Sequence, residues 1–564
     1  MAEVTEVTEV TSGTTGAAGL VVTLTTGRRL HVAHVVNCTG PQREVSRSRN
    51  ALVVDLLATG AGTPGPLGAG LATDAGGRLL GVPDADPARP AWVVGALRKG
   101  DLWESTAVPE IRSQAVAVAA QLASFLRTRR PRPTTRPVDL HGLPLSTTEE
   151  AAASYNLGLS RVLRVESGAE QHFRDAVALD PGFALGHAAL ALVGHELGAV
   201  GDPVADLAAT RATVSRAMTE RECDLVEVMD ARLHGTRLEA TVALRRHIDA
   251  HPRDSLAVSA AVPTIAFSGI TDLQQESWAL VEGLRPAYGD DWWYGGMLAF
   301  VRQEQGRYDE ADALAARALH QEPRSGHAVH ALTHVFYETG QHDAGLAWLG
   351  EWMGSCGRQA SHLAHFSWHA ALHELSLGAV EAVHRRYEAE LAPPHVTGVR
   401  ALVDSASLLW RAQVTGSWNG DLPMTTVLDR VGEDLLERPT TPFTAMHSAL
   451  ALTASGDLES LARLRAHAAS RPQPVMRDIV VQLCDALTAV GQQRWEDAVR
   501  TLRLLGPWLV QLGGSSAQRE IVEDTLLLAL VRAGRCSEAR ALLESRLDRR
   551  PSPLDRRRLA GVPA

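Results

Sequence analysis

Eight of the chain's 22 histidines fall between residues 327 and 373: His327, His330, His334, His342, His362, His365, His369 and His373. Their spacing is helical. His327, His330 and His334 stand at i, i+3 and i+7, and His365, His369 and His373 at i, i+4 and i+8, so each set lines one helix face. Imidazoles grouped this way can bind a divalent metal through their ring nitrogens, and His330, His334, His365 and His369 on two adjacent helices would supply four donors. No H-E-x-x-H occurs, and the nearby carboxylates, Glu338 and Glu374, do not lie between paired histidines as a general base would. Two other uses compete. The rings can pack as half-polar core residues, each with one nitrogen on a backbone carbonyl. Alternatively His330, His334, His365, Trp368, His369 and His373 line a groove that holds a peptide, protein or small ligand. The expectation is the groove, with no resident metal or cofactor.

A second candidate is Gly513-Gly514-Ser515 with Arg519. Glycines ahead of a helix leave backbone N–H groups free, which makes an anion nest. The competing reading is a loop between repeats in which Gln518 and Arg519 cap neighbouring segments. Other chemistry is absent from the sequence: it contains no G-x-x-x-x-G-K-[ST] loop and no G-x-S-x-G elbow. Cys38, Cys223, Cys356, Cys484 and Cys536 are widely spaced and form no C-x-x-C pair, so a reducing cytoplasm is expected.

Composition narrows the class further. The 564 residues carry a net charge of −10, which argues against a nucleic-acid partner. No apolar run reaches the roughly 18 residues that a membrane span requires, and the N-terminus lacks the pattern of a signal peptide. All basic residues but Lys99 are arginine, which reads as genomic bias rather than as a binding signal.

The elements that must position the histidines are helical. Thr147-Thr148-Glu149-Glu150 reads as a helix start, and Ala, Leu and Arg dominate from there, broken regularly by Gly, Asp or Pro. A template of small residue, bulky residue four later, variable residue three later and Pro five later recurs. It appears as Ala169-Phe173-Ala176-Pro181, Ala240-Leu244-His247-Pro252, Ala311-Ala315-Ala318-Pro323 and Ala539-Leu543-Arg546-Pro551. Pro181, Pro252 and Pro323 are 71 residues apart, close to twice the 34 of a tetratricopeptide repeat. Turn glycines fall where that repeat needs them, at Gly306, Gly340, Gly456 and Gly534. Trp292-Trp293-Tyr294, Trp348 and Trp352 read as plugs between repeats. The predicted architecture is mainly α: an α-solenoid over 146–564 with a concave face free for a partner.

Residues 146–550 resemble the tetratricopeptide repeat protein 38 family and its bacterial relatives. The likeness rests on His330-Ala-Leu-Thr-His334, His365-Phe-Ser-Trp-His369 and Gly513–Glu520 (GGSSAQRE). The family pattern has Asn where this chain has Phe366, and Asp where it has Glu520. The resemblance implies a repeat fold but no reaction.

The N-terminal portion reads differently. Residues 1–16 are a low-complexity lead expected to be disordered, and 17–127 a small α/β fragment with strands at Leu20–Thr26, Leu30–Val36 and Ala91–Val94 and a helix at Ile111–Leu126. A Pro/Arg-rich linker covers 128–145. Val35-Val36-Asn37-Cys38-Thr39-Gly40-Pro41 and Gly95–Arg112 resemble the C-terminal part of FAD-NAD(P)-binding oxidoreductases. That resemblance implies Asn37, Thr39, Gly40, Trp103, Glu104 and Thr106 near a flavin. The lone G-x-G-x-x-G string, Gly60–Gly65, lies in a Gly/Pro-rich stretch and opens no helix, so a dinucleotide cradle would have to come from another chain, a flavoprotein half completing an oxidoreductase. The leading expectation is a cytoplasmic, non-enzymatic interaction protein; the alternative is half of a flavin-dependent oxidoreductase.

Overall fold

A computed structural model describes residues 7–12, 20–24, 26–33, 44–82, 91–102, 105–129, 136–197, 203–213, 218–234, 237–260, 273–418 and 420–563. The chain divides after residue 134 into two compact units.

In the first unit, strands β1 (Val7–Ser12), β2 (Leu20–Leu24) and β3 (Arg29–Val32) form an antiparallel meander with Val10 opposite Val22 and Val22 opposite Leu30. The lead expected to be disordered therefore contributes a strand, because alternating Val and Thr are β-branched and suit a pleated ladder. Ala91–Val94 is not a strand. It makes one isolated bridge, Trp92 with Arg78, beside a small core of Val45, Val53, Leu71 and Val93. The helix Ala51–Ala58, not foreseen, is started by Asn50, whose side chain accepts from Leu52 N and Val53 N. Helix Val108–Arg129 covers the predicted one and runs on through Arg127–Arg129, stopping ahead of the first linker proline.

The second unit is a stack of helix pairs. Thr148 caps Glu149–Arg164 by accepting from Ala151 N at 3.2 Å, and this helix packs on Ala169–Leu179. Trp292–Glu304 packs on its hairpin partner Tyr308–Gln321 and on the next repeat's first helix, Gly326–Glu338. Side-to-side contact with one's own partner and the following repeat is the packing a helical repeat requires. The first three template positions at all four instances are buried, including His247 and Arg546 at the variable position, while the closing prolines are exposed. Helices Ala169–Leu179, Arg237–Ala250, Tyr308–Gln321 and Cys536–Arg549 each end within two residues of the template proline, which cannot continue a helix. Trp293 and Tyr294 are buried between repeats as expected of plugs.

Later repeats of the same chain reach the helices on which the groove was expected. Tyr337 Oη donates to Glu520 Oε2 at 2.9 Å, Arg550 reaches Glu338 at 3.1 Å, and His342 Nε2 lies 3.1 Å from the Pro551 carbonyl. Trp410 Nε1 donates to Thr525 Oγ1 at 2.9 Å, and Arg411 Nη1 to Asp524 at 3.0 Å. Polar side chains so deep in the stack are held because each has a partner; an unpaired one would cost about 1–3 kcal/mol. No described helix is long and apolar enough to cross a membrane.

Candidate metal centre

The histidine cluster sits on the first helices of two consecutive repeats. Gly326–Glu338 begins at Ser325, whose hydroxyl accepts from Ala328 N, and Leu363–Leu377 ends at Gly378 in the left-handed conformation. Spacing of four residues stacks His330 above His334 on one helix and His365 above His369 on the other. The two helices turn these faces toward each other.

Four ring nitrogens meet there. His330 Nε2 is 3.1 Å from His369 Nε2, 3.2 Å from His334 Nε2 and 3.2 Å from His365 Nε2. The rings of His334 and His369, and of His365 and His369, have centroids 4.6 Å apart. His334 has no exposure and His369 is 1% exposed, whereas His330 keeps partial contact with solvent. Phe300 stacks on His330 at 5.0 Å, and Trp368 on His365 at 5.3 Å.

Burial strips these rings of charge. Desolvation, reinforced by the neighbouring imidazoles, holds His330 and His369 well below the ordinary histidine value and brings His334 down to about 3. A neutral imidazole nitrogen either donates one hydrogen or offers one lone pair. The Nε2 of His330 has three nitrogen neighbours within 3.2 Å, so one contact can be a hydrogen bond and two others cannot. No choice of tautomers removes the conflict. A cation shared by His330, His334 and His369, whose ligand atoms lie within 4.8 Å of one another, does, and His365 stands outside that trio, touching His330 alone at 3.2 Å. Tetrahedral ligation with metal–nitrogen bonds of about 2.0–2.1 Å puts ligand atoms about 3.3 Å apart, near the separations from His330 to His334 and His369.

A residue outside the predicted cluster completes the arrangement. Asp404, with no exposure, accepts from His365 Nδ1 at 2.8 Å. That bond puts the His365 proton on Nδ1 and leaves Nε2 as the donor atom toward the cluster, the carboxylate–histidine relation that orients metal ligands. Burial pushes the Asp404 carboxyl up, but His365 and Arg400 outweigh it and hold the group below its ordinary value. Arg400 stands 3.5 Å from Asp404 Oδ2. Asp404 lies in a π-helical turn, Ala401–Ala406, which leads into Ser407–Val414. Such turns widen the helix and re-aim a side chain. No local motif marks it; only the chain's return 39 residues later brings it to His365.

The other predicted residues separate. His373 pairs with His342, Nδ1 to Nδ1 at 3.1 Å: His342 Nε2–H donates to the Pro551 carbonyl and its Nδ1 accepts from His373, whose own buried Nε2 has, among the described residues, no hydrogen-bond partner and no third ligand group beside it. Gly345 makes room, since a Cβ there would lie 2.8 Å from His373 Cε1. Trp368 is fully buried and cannot serve as an open platform. His327 and His362 stay at the half-exposed edge.

At Gly513-Gly514-Ser515 the N–H groups of Gly513 and Ser515 have internal acceptors, the Val510 carbonyl and Gln518 Oε1. Ser515 and Gln518 form a reciprocal capping box on Ser516–Arg532, Ser516 N faces Glu304 at 3.3 Å, and Arg519 donates to the Gly513 and Gly514 carbonyls. Gly514 is positive in φ and its missing side chain admits the Phe443 ring.

Asn37, Thr39, Gly40, Trp103 and Glu104 lie outside the described residues, and Thr106 is exposed just ahead of Val108–Arg129. The N–H of Gly95 donates to Gln114 Oε1 at 2.8 Å, so that turn is closed against its own helix. The described sheet of this unit is an antiparallel meander.

No family model matches the chain. Among solved structures, the tetratricopeptide-repeat domain of P58(IPK) is similar at 13% identity, over 70% of this chain and 98% of that one, with a TM-score of 0.16. The repeat assignment rests on the buried template positions themselves.

Proposed function

We propose that this helical-repeat protein binds one divalent transition-metal ion through His330, His334 and His369, with His365, oriented by Asp404, closing on it from beside His330 as the fourth ligand. The observation that carries the reading is the triple contact at His330 Nε2, which no hydrogen-bonding scheme satisfies. Four imidazoles suit zinc, copper, nickel, cobalt or ferrous iron, and not the oxygen-seeking calcium or magnesium. The ion would pin consecutive repeats by their first helices. Peptide capture by the same residues finds less support, because Trp368, His369 and His373 are enclosed.

The test loads metal-free protein with Co(II), whose visible bands report tetrahedral nitrogen ligation, and counts bound ions after dialysis. His330→Ala with His369→Ala should lose one ion per chain and those bands while keeping the helical signal. Wild-type protein that shows no such bands, or a double variant that retains them, sinks the proposal.

A further inference from the structure

A second histidine pair lies in a different repeat and has its own unexplained atom. His247 sits near the end of helix Arg237–Ala250, and His251 follows one turn later, its N–H bonded to the His247 carbonyl at 2.8 Å. The helical turn thus carries through to residue 251 and stacks the two rings with centroids 5.0 Å apart. Asp224, on the partner helix Glu220–His234, places Oδ2 3.3 Å from His251 Nε2. One donor atom from each of Asp224, His247 and His251 lies within 4.8 Å of the others.

The environment of His247 decides what the trio is for. Its Nε2 faces Asp254 Oδ2 at 3.1 Å, and Asp254 is itself anchored by Arg221, which also bonds Asp139 at 2.8 Å. Asp254 is 1% exposed and Arg221 holds its charge, so the carboxylate accepts and His247 Nε2 donates. Nδ1 of His247 then carries a lone pair. That atom is buried, in a residue 2% exposed, and has no hydrogen-bond partner. A buried lone pair without a donor, beside a second imidazole and a carboxylate, is the arrangement expected where a cation belongs.

We infer that Asp224, His247 and His251 form a second site for a divalent transition metal, with Asp254 as the carboxylate that orients His247. The donor set is two imidazoles and one carboxylate. This set holds zinc or ferrous iron at three positions and leaves the rest to water or a coordinating small molecule. Asp224 and His251 are only partly buried, so the open positions face solvent. The site differs in kind from the closed four-imidazole centre: it can exchange ligands.

The test uses the full chain and Zn(II). Asp224→Asn combined with His251→Gln changes two half-exposed side chains and leaves the buried His247–Asp254–Arg221 group untouched, so the fold should persist by circular dichroism. Bound zinc should fall by one ion per chain, whereas His330→Ala with His369→Ala should leave this ion in place. The same zinc count in the Asp224/His251 variant and in the parent, whatever that count is, overturns the assignment and leaves Asp224 and His251 as an ion pair only. Loss of this ion in the His330/His369 variant alone would do the same.

Discussion

The Nδ1 of His365 lies 2.8 Å from Oδ1 of Asp404, and this single contact decides which face of the imidazole the cluster sees. Unlike the rings that must choose a tautomer among nitrogen neighbours, His365 has its choice made by a buried carboxylate. A metal ligand oriented this way is also a stronger base, because the carboxylate supports the positive charge that ligation places on the ring.

Asp404→Asn should therefore weaken metal binding without removing it. The amide oxygen can still accept from His365 Nδ1, so the geometry survives while the negative charge is lost. Loss of such partners weakens affinity by about 10–100-fold, and the retained acceptor puts this variant toward the lower end. Competition against a chelator of known affinity measures it. An unchanged affinity would mean that His365 takes no part in holding the ion.

Acid should destabilise the repeat unit through histidines outside the centre. Burial holds His342 and His447 down at about 4 and His373 at about 3, against 6.5 for a free ring. The unfolded chain binds these protons first, so the stabilising contribution is complete above about pH 6.5 and is lost as pH falls toward 4 and then 3. Each neutral ring costs about 1.4 kcal/mol per pH unit within that window. Thermal melts between pH 7.5 and 5 should show a falling transition, reduced in His373→Gln. A transition independent of pH over that range would contradict the burial of these rings.

Glu520 offers a stability test unrelated to metal. It accepts from Tyr337 Oη and pairs with both Arg550 and Arg546. Arg550 and Arg546 hold the Glu520 carboxyl far below its ordinary value despite burial. Glu520→Ala takes one carboxylate from each of two buried guanidinium groups, leaving Glu338 on Arg550 and Asp524 and Asp555 on Arg546. The loss should therefore approach but not exceed about 3–5 kcal/mol, the cost of breaking a buried pair from one side. Chemical denaturation of the variant should show that loss; a change below 1 kcal/mol would mean that Arg546 finds enough in Asp524 and Asp555 alone.

How far the sequence could be read follows from the range of the forces involved. The i, i+4 histidine pairs and the repeat template were legible because helix period and helix–helix approach are local, set within one or two turns. The contacts of Glu520 and Arg550 with Tyr337 and Glu338 were not, because they join residues about 180 to 210 positions apart in the chain. Asp404 and Asp254 were equally hidden. Each is an ordinary aspartate in sequence, and its meaning comes from the imidazole it meets. At the N-terminus, composition alone does not specify how strands pair: the Val/Thr lead that reads as disordered or a frayed edge contributes Val7–Ser12 to the sheet.

Removing metal should loosen one part of the stack selectively. An ion held by His330, His334, His365 and His369 ties Gly326–Glu338 to Leu363–Leu377, and helices in a repeat array open in nearly independent units. Chelation should speed amide hydrogen exchange in those two helices and leave Glu149–Arg164 and Ala169–Leu179 unaffected, since that pair is locked by Phe173 against Gly158. An ion present at 100 times its dissociation constant stabilises the bound state by about 2.7 kcal/mol, which slows exchange through the coupled opening by about 100-fold. His330→Ala should exchange at the chelated rate with or without zinc. Equal exchange in the loaded and chelated wild type would mean that the four imidazoles meet without an ion to hold them.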